Sequence, residues 1–140
     1  MSPLPSSTPG ALVIDRLTVA ADRVICEVRV DPRYASTTPE LSCRMQRAFP
    51  DIASHTCVNE CGDTFGAVID HTSLPHLLEH VVIDAQTRAS TDPRTIFVGT
   101  TRWLDKMHTK ARVEVSFTDD LVALRAFLDS AEFLNREVIK

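Results

Sequence analysis

Leu77, Leu78, Val81, Val82 and Ala85 recur at intervals of three and four behind Ser73-Leu74-Pro75. That spacing places them on one stripe of an α-helix, and the stripe demands another layer to cover it. A proline in the first turn and the breaker Thr91-Asp92-Pro93 set the expected limits, from Ser73 to about Ser90. The other segments supply the covering layer. β-branched runs from Ala11 to Val19 and from Arg23 to Asp31, split by Ala20-Ala21-Asp22, predict a β-hairpin. Thr95 to Trp103 and Ala111 to Phe117 predict a second, joined by a basic turn with Lys106, His108 and Lys110. Thr38-Pro39-Glu40 opens a helix carrying Leu41, Met45 and Ala48 that ends before Pro50. Thr118-Asp119-Asp120 caps a last one, with Leu121, Leu124, Leu128 and Ala131 at helical spacing. Hairpins and helices are segregated in this order. The expectation is an α+β fold: a two-layer sandwich of two β-hairpins, in an antiparallel or mixed sheet, with helices packed on one face.

The chain has 140 residues, enough for one domain over 11–140; the Pro-, Ser- and Thr-rich residues 1–10 read as a flexible N-terminal lead. Its net charge of -4 argues against a sequence-independent nucleic-acid binder and favours a cationic ligand. No apolar run approaches the roughly 20 residues of a membrane span, and Met1 to Gly10 lacks the features of a secretory signal. A cytoplasmic protein with no membrane partner is expected, either alone or as a homo-oligomer. Cys26, Cys43, Cys57 and Cys61 then read as free thiols or metal thiolates, with Cys26 and Cys43 expected to be buried.

His76-Leu77-Leu78-Glu79-His80 lies inside the central helix. Residues four apart share a helical face, so His76 and His80 are able to hold one ion from the same side, with Glu79 beside it. Zinc held this way acidifies its water and a neighbouring carboxylate accepts the proton, the arrangement of the inverted H-x-x-E-H zinc peptidases. A third ligand is needed, and the long loop expected over 51–70 offers Cys57 first, with His55 or Cys61 as substitutes. Asp84 is placed to orient His80, Arg102 to clamp a substrate carboxylate or carbonyl, and Trp103 to pack over a ligand. Blander readings exist for each. Paired histidines also occur solvated beside a core stripe, and Arg102, Asp84 and Trp103 fit ordinary surface or core-edge roles. A rival zinc site is also open: Cys57 and Cys61 followed by His76 and His80 approximate a two-cysteine, two-histidine finger, which would be closed and structural.

The stretch from Phe49 through Phe117 resembles the amino-terminal domain of cyanophycin synthetases. The matching elements are His55-Thr56-Cys57, Thr64-Phe65, the helix string HLLEHVVIDAQ from His76 to Gln86, Val98-Gly99-Thr100-Thr101-Arg102, and the strand ending at Phe117. Cys61 has no counterpart in that pattern, and Thr100 stands where it has an arginine. The complete enzymes are ATP-dependent ligases that polymerise aspartate and arginine, and their ligase domains have no room in 140 residues. The resemblance implies a module that holds the polymer or, as in some members, a zinc peptidase-like site that cuts it. Two hypotheses follow. One is a zinc-dependent hydrolase acting on an amide of a peptide or arginine-rich polymer such as cyanophycin, with His76, His80 and Cys57 on zinc, Glu79 as general base and Arg102 assisting. The other is a non-catalytic polymer- or protein-binding module, with a structural Cys/His zinc or no metal.

Overall fold

The structure is a computed structural model that describes residues 10–140. Apart from Gly10, the expected N-terminal lead lies outside the described residues. Strands β1 (Leu12–Val19) and β2 (Arg23–Val30) form the first hairpin, whose turn is closed by the Ala20 N–H donating to the Arg23 carbonyl at 2.8 Å. The next elements are α1 (Pro39–Ala48), the short strands β3 (Thr56–Asn59) and β4 (Gly62–Thr64), and α2 (Leu74–Ala89). The chain then runs through β5 (Gly99–Trp103), β6 (Lys110–Ser116) and α3 (Asp120–Val138). Antiparallel pairing of β2 with β6 joins the hairpins into one four-stranded sheet, order β1-β2-β6-β5. The α+β architecture is the expected one, with helices against one face of an antiparallel sheet.

Period-two alternation decides the two faces of the sheet. Val24, Cys26 and Val28 on β2 and Ala111, Val113 and Val115 on β6 are buried under the helices. The intervening side chains form ion pairs on the open face: Arg23 with Glu114 at 3.2 Å, Arg112 with Glu27 at 3.1 Å and Arg29 with Asp15 at 2.9 Å. Exposed pairs contribute at most about 1 kcal/mol each, so the inner face holds the sheet. Three hydrogen-bonded caps fix where the helices begin: Thr38 accepts from the Leu41 N–H, Ser73 from the His76 N–H, and Asp119 from the Leu121 and Val122 N–H groups. Helix α2 is buried on all sides from Leu77 to Asp84, between the sheet, α3 and the β3–β4 region.

Four expectations are corrected. Cys43 is exposed, because Leu41 and Met45 define the inner stripe of α1 and Cys43 projects from the other side. The inner face of α3 is carried by Ala123, Ala126, Phe127, Ala131 and Leu134, small residues that allow close approach; Leu121 is 72% exposed and lines an apolar groove between α2 and α3, and Leu128 is exposed as well. The fifth strand starts at Gly99 rather than Thr95: the Thr95 N–H turns back to the Asp92 carbonyl, and the Val98 N–H goes to the Ser116 hydroxyl instead of a ladder carbonyl. Residues 51–70, expected as a long ordered loop with one helical turn, contain the β3–β4 hairpin and two 3-10 turns. Among the described residues no helix is long and apolar enough to cross a membrane.

Asn135 on α3 clamps the first strand, accepting from the Leu12 N–H and donating to the Leu12 carbonyl, both at 2.8 Å. Asn135→Ala leaves two part-buried backbone groups unpaired and is expected to lower stability by about 1–3 kcal/mol. A shift of the urea midpoint to lower concentration checks this, with Asn135→Asp falling between the two; unchanged midpoints refute it.

Candidate metal centre

The centre is assembled from α2 and the β3–β4 hairpin. Pro75 in the first turn and the Ser73 cap start α2 so that His76, Glu79 and His80 reach the end of the helix nearest the hairpin. Asn59 shapes the hairpin: its amide donates to the carbonyls of Cys57 and Thr64 at 2.9 and 3.0 Å, and its side-chain oxygen accepts from the Cys61 N–H at 2.9 Å. This side-chain-stitched turn presents Cys57 to the helix. Cys57 Sγ stands 3.4 Å from His76 Nε2, and one ligand atom each from Cys57, His76 and His80 lies within 4.8 Å of the others. That separation suits two imidazole nitrogens and a thiolate around a single tetrahedral ion.

The far nitrogen of each ring is engaged. His76 Nδ1 lies 2.9 Å from the Thr72 hydroxyl, and His80 Nδ1 shares a 3.1 Å hydrogen bond with His55 Nδ1. His55 Nε2 in turn stands 3.8 Å from Asp84, which pairs with Arg88 at 2.8 Å. Outer partners of this kind fix tautomer and ring orientation at metal sites. His80 Nε2, 3.6 Å from Glu79 Oε2, is buried with no hydrogen-bond partner. An orphaned buried nitrogen beside a thiol and a second imidazole is the feature a metal ion satisfies. Phe65 stacks on His80 with centroids 4.0 Å apart and planes 16° apart, fixing the ring from one side.

Glu79 is 5% exposed and points between helix and sheet. Its Oε1 accepts from the Thr101 hydroxyl at 2.7 Å, while Oε2 is 3.6 Å from His80 Nε2. Gly99 makes room for it: a Cβ there would lie 2.8 Å from Glu79 Cγ and 2.9 Å from the Glu114 carbonyl oxygen. Burial raises the Glu79 carboxyl to about 7, against which the Thr101 bond works only partly. Burial, then the neighbouring histidines, lowers His80 to about 3, and burial lowers His76 and His55 too. Neutral imidazoles are the ligand form of histidine. The Cys57 thiol is raised by burial, so thiolate formation there depends on a nearby cation.

Of the residues singled out in the sequence, Cys57, His76, Glu79 and His80 come together, with Asp84 behind them. His55 sits on the far nitrogen of His80, outside the three-ligand cluster, and Cys61 is exposed outside it as well. Arg102 alternates with Thr101 and so occupies the outward side of β5, at the rim of a cleft of about 1030 Å³ that opens onto the cluster. Trp103 stacks on His108 rather than over the histidines. Sequence reading missed Thr101, Gly99, Asn59 and Thr72. Thr101 and Gly99 act through Glu79, distant in sequence, and only the string Val98-Gly99-Thr100-Thr101 hinted at them, whereas Asn59 and Thr72 act on near neighbours, Cys57 and His76.

Two outcomes follow for the metal-free protein. A carboxyl raised from an ordinary 4.5 to about 7 holds its proton more tightly when folded, so its stabilising contribution is complete below pH 4.5 and is lost as pH rises through 7. Glu79→Gln is therefore expected to be more stable than the parent near pH 8, by roughly 1–3 kcal/mol, with the gap closing towards pH 4.5. Chemical denaturation at the two pH values reads it, and a pH-independent difference contradicts it. Gly99→Ala, which forces Glu79 and the β6 backbone apart, is expected to cost about 1–3 kcal/mol in the same assay, and an unchanged midpoint contradicts it.

The profile of the cyanophycin synthase-like N-terminal domain matches residues 25–136, from β2 into the last turns of α3, and so takes in every residue of the cluster. No curated protein matches the chain in sequence. With the match spanning most of the 140 residues, the chain belongs to the cyanophycin synthase-like N-terminal domain family.

Proposed function

We infer that the chain is a zinc-dependent amide hydrolase of the H-x-x-E-H type, acting on a peptide or an arginine-rich polymer such as cyanophycin. The observation that carries this reading is the convergence of ligand atoms of Cys57, His76 and His80, together with the orphaned His80 Nε2 and a free oxygen of Glu79 3.6 Å from it. Three protein ligands leave the fourth tetrahedral position for water or substrate, as catalytic zinc sites require. With Cys61 outside the cluster, a closed four-ligand site has less support.

Bound zinc would supply a Lewis acid for the scissile carbonyl and an acidified water. The protein's part is proton handling and placement. Glu79, held by Thr101 through one oxygen, takes the water proton on the other and returns it to the leaving amine. His55 and Thr72 keep the ligating rings in register. The cleft carries four acidic side chains, Asp51, Glu60, Glu79 and Asp84, against two arginines, Arg88 and Arg102, which favours a cation-rich substrate. In this reading Arg102, exposed at the rim, would contact a substrate carboxylate.

The expected stoichiometry by metal analysis and zinc titration is one zinc per chain. His80→Ala should weaken zinc binding about 100-fold or more. Glu79→Gln should keep the zinc while new amino termini, released from cyanophycin or an arginine-rich peptide, appear about 100- to 10,000-fold more slowly. A parent protein that takes up no zinc sinks the reading, and one that binds zinc and polymer without cutting is a holding module instead.

A further inference from the structure

β5 is an outermost strand, paired on one side only, with β6. The register determines which of its backbone groups are committed. The Ser116 N–H donates to the Val98 carbonyl and the Leu104 N–H to the Lys110 carbonyl, both at 2.8 Å. On the other side of β6, the Val30 N–H donates to the Thr109 carbonyl, so odd-numbered β6 residues face β2 and even-numbered ones face β5. Thr100 and Arg102, opposite Glu114 and Arg112, therefore turn their N–H and C=O groups inward to the ladder. Gly99, Thr101 and Trp103 turn theirs out, and among the described residues no turn, loop or side-chain hydrogen bond engages their N–H groups.

This open edge borders the cleft of the candidate centre, and its middle residue is the one that holds Glu79. Natural edge strands are commonly blunted by a bulge, a proline or a cover. The opposite edge strand, β1, carries a register break between Ile14 and Arg16, whereas β5 is regular from Gly99 to Trp103. Ahead of it, Ile96 and Val98 are 81% and 62% exposed at alternate positions, while Phe97 between them is buried. Side chains of an added strand would thus alternate between an apolar flank beside Ile96 and Val98 and the acidic cleft lined by Glu60 and Asp84.

We propose that an extended peptide with alternating basic residues binds by adding to the outer edge of β5 as a fifth strand, its backbone bonding to Gly99, Thr101 and Trp103. Main-chain bonds supply affinity in this mode, and alternate pockets supply selectivity. The register brings a backbone amide of the peptide alongside Thr101 and hence next to Glu79 and the Cys57–His76–His80 cluster. Cutting of that amide rests on the hydrolase reading, but the docking does not.

The test uses the nitrogen-15-labelled full chain, zinc-free and as zinc-treated Glu79→Gln, with the probe acetyl-Arg-Val-Arg-Val-Arg-amide. Amide exchange at Gly99, Thr101 and Trp103 should slow by about tenfold or more on peptide addition, as new backbone bonds form. Of two versions N-methylated at complementary alternate residues, one should lose about tenfold or more in affinity and the other should retain it. Equal binding of both versions, or protection appearing elsewhere, overturns the docking. Protection of the same amides in a dimer before peptide is added gives the edge to a second copy and likewise overturns it. Zinc uptake without these changes removes the docking and leaves the hydrolase, and the changes without zinc uptake do the reverse.

Discussion

A helix buried on every side carries Glu79, His80 and Asp84 into an interior where each must find a polar partner or remain unpaired at a cost of about 1–3 kcal/mol. The surrounding architecture answers that constraint. Thr101 reaches across from β5 to Glu79, His55 reaches from the hairpin side to His80, and Arg88 closes over Asp84 from the next turn. His80 Nε2 and Asp84 Oδ2 are left without a hydrogen-bond partner, and the first belongs to the residue that joins Cys57 and His76 in the candidate centre. Removing water from these groups is what makes them costly. It also keeps the imidazoles neutral and the carboxyl near 7.

Much of this was legible in the sequence, for reasons that differ from element to element. The stripe from Leu77 to Val82 repeats with the helical period, and the two β-branched pairs of runs alternate, so α2 and the sheet followed from local pattern. The H-x-x-E-H string is local too: four residues place two rings on one face whatever the surroundings. Residues 51–70 were opaque because a strand of three or four residues has no readable period, and the hairpin there is stitched by one asparagine side chain. In α3 the large leucines drew attention to a stripe that partly faces outward, while alanines took the inner face because helix–helix contact rewards small residues.

The supporting residues are where single-sequence reasoning stops. Gly99 follows from no turn and no positive φ; its reason is the Glu79 side chain beneath it, which no pattern along the strand encodes. Thr101 is ordinary by composition and becomes specific only through a 2.7 Å contact across the fold, and Thr72 through a 2.9 Å contact with His76 one helical turn on. The same holds for Arg102, whose side of the strand is set by the parity of the β5–β6 pairing rather than by its distance in sequence from the helix.

The stacking of Phe65 on His80 reaches beyond geometry. Phe65 opens a short 3-10 turn and is wholly buried, so the imidazole cannot swing away without lifting that turn off the core. Exchange of anything coordinated by that ring would be gated by breathing of the 52–67 segment. Its kinetics would then follow the segment's local opening equilibrium more closely than the proton affinity of the ligand.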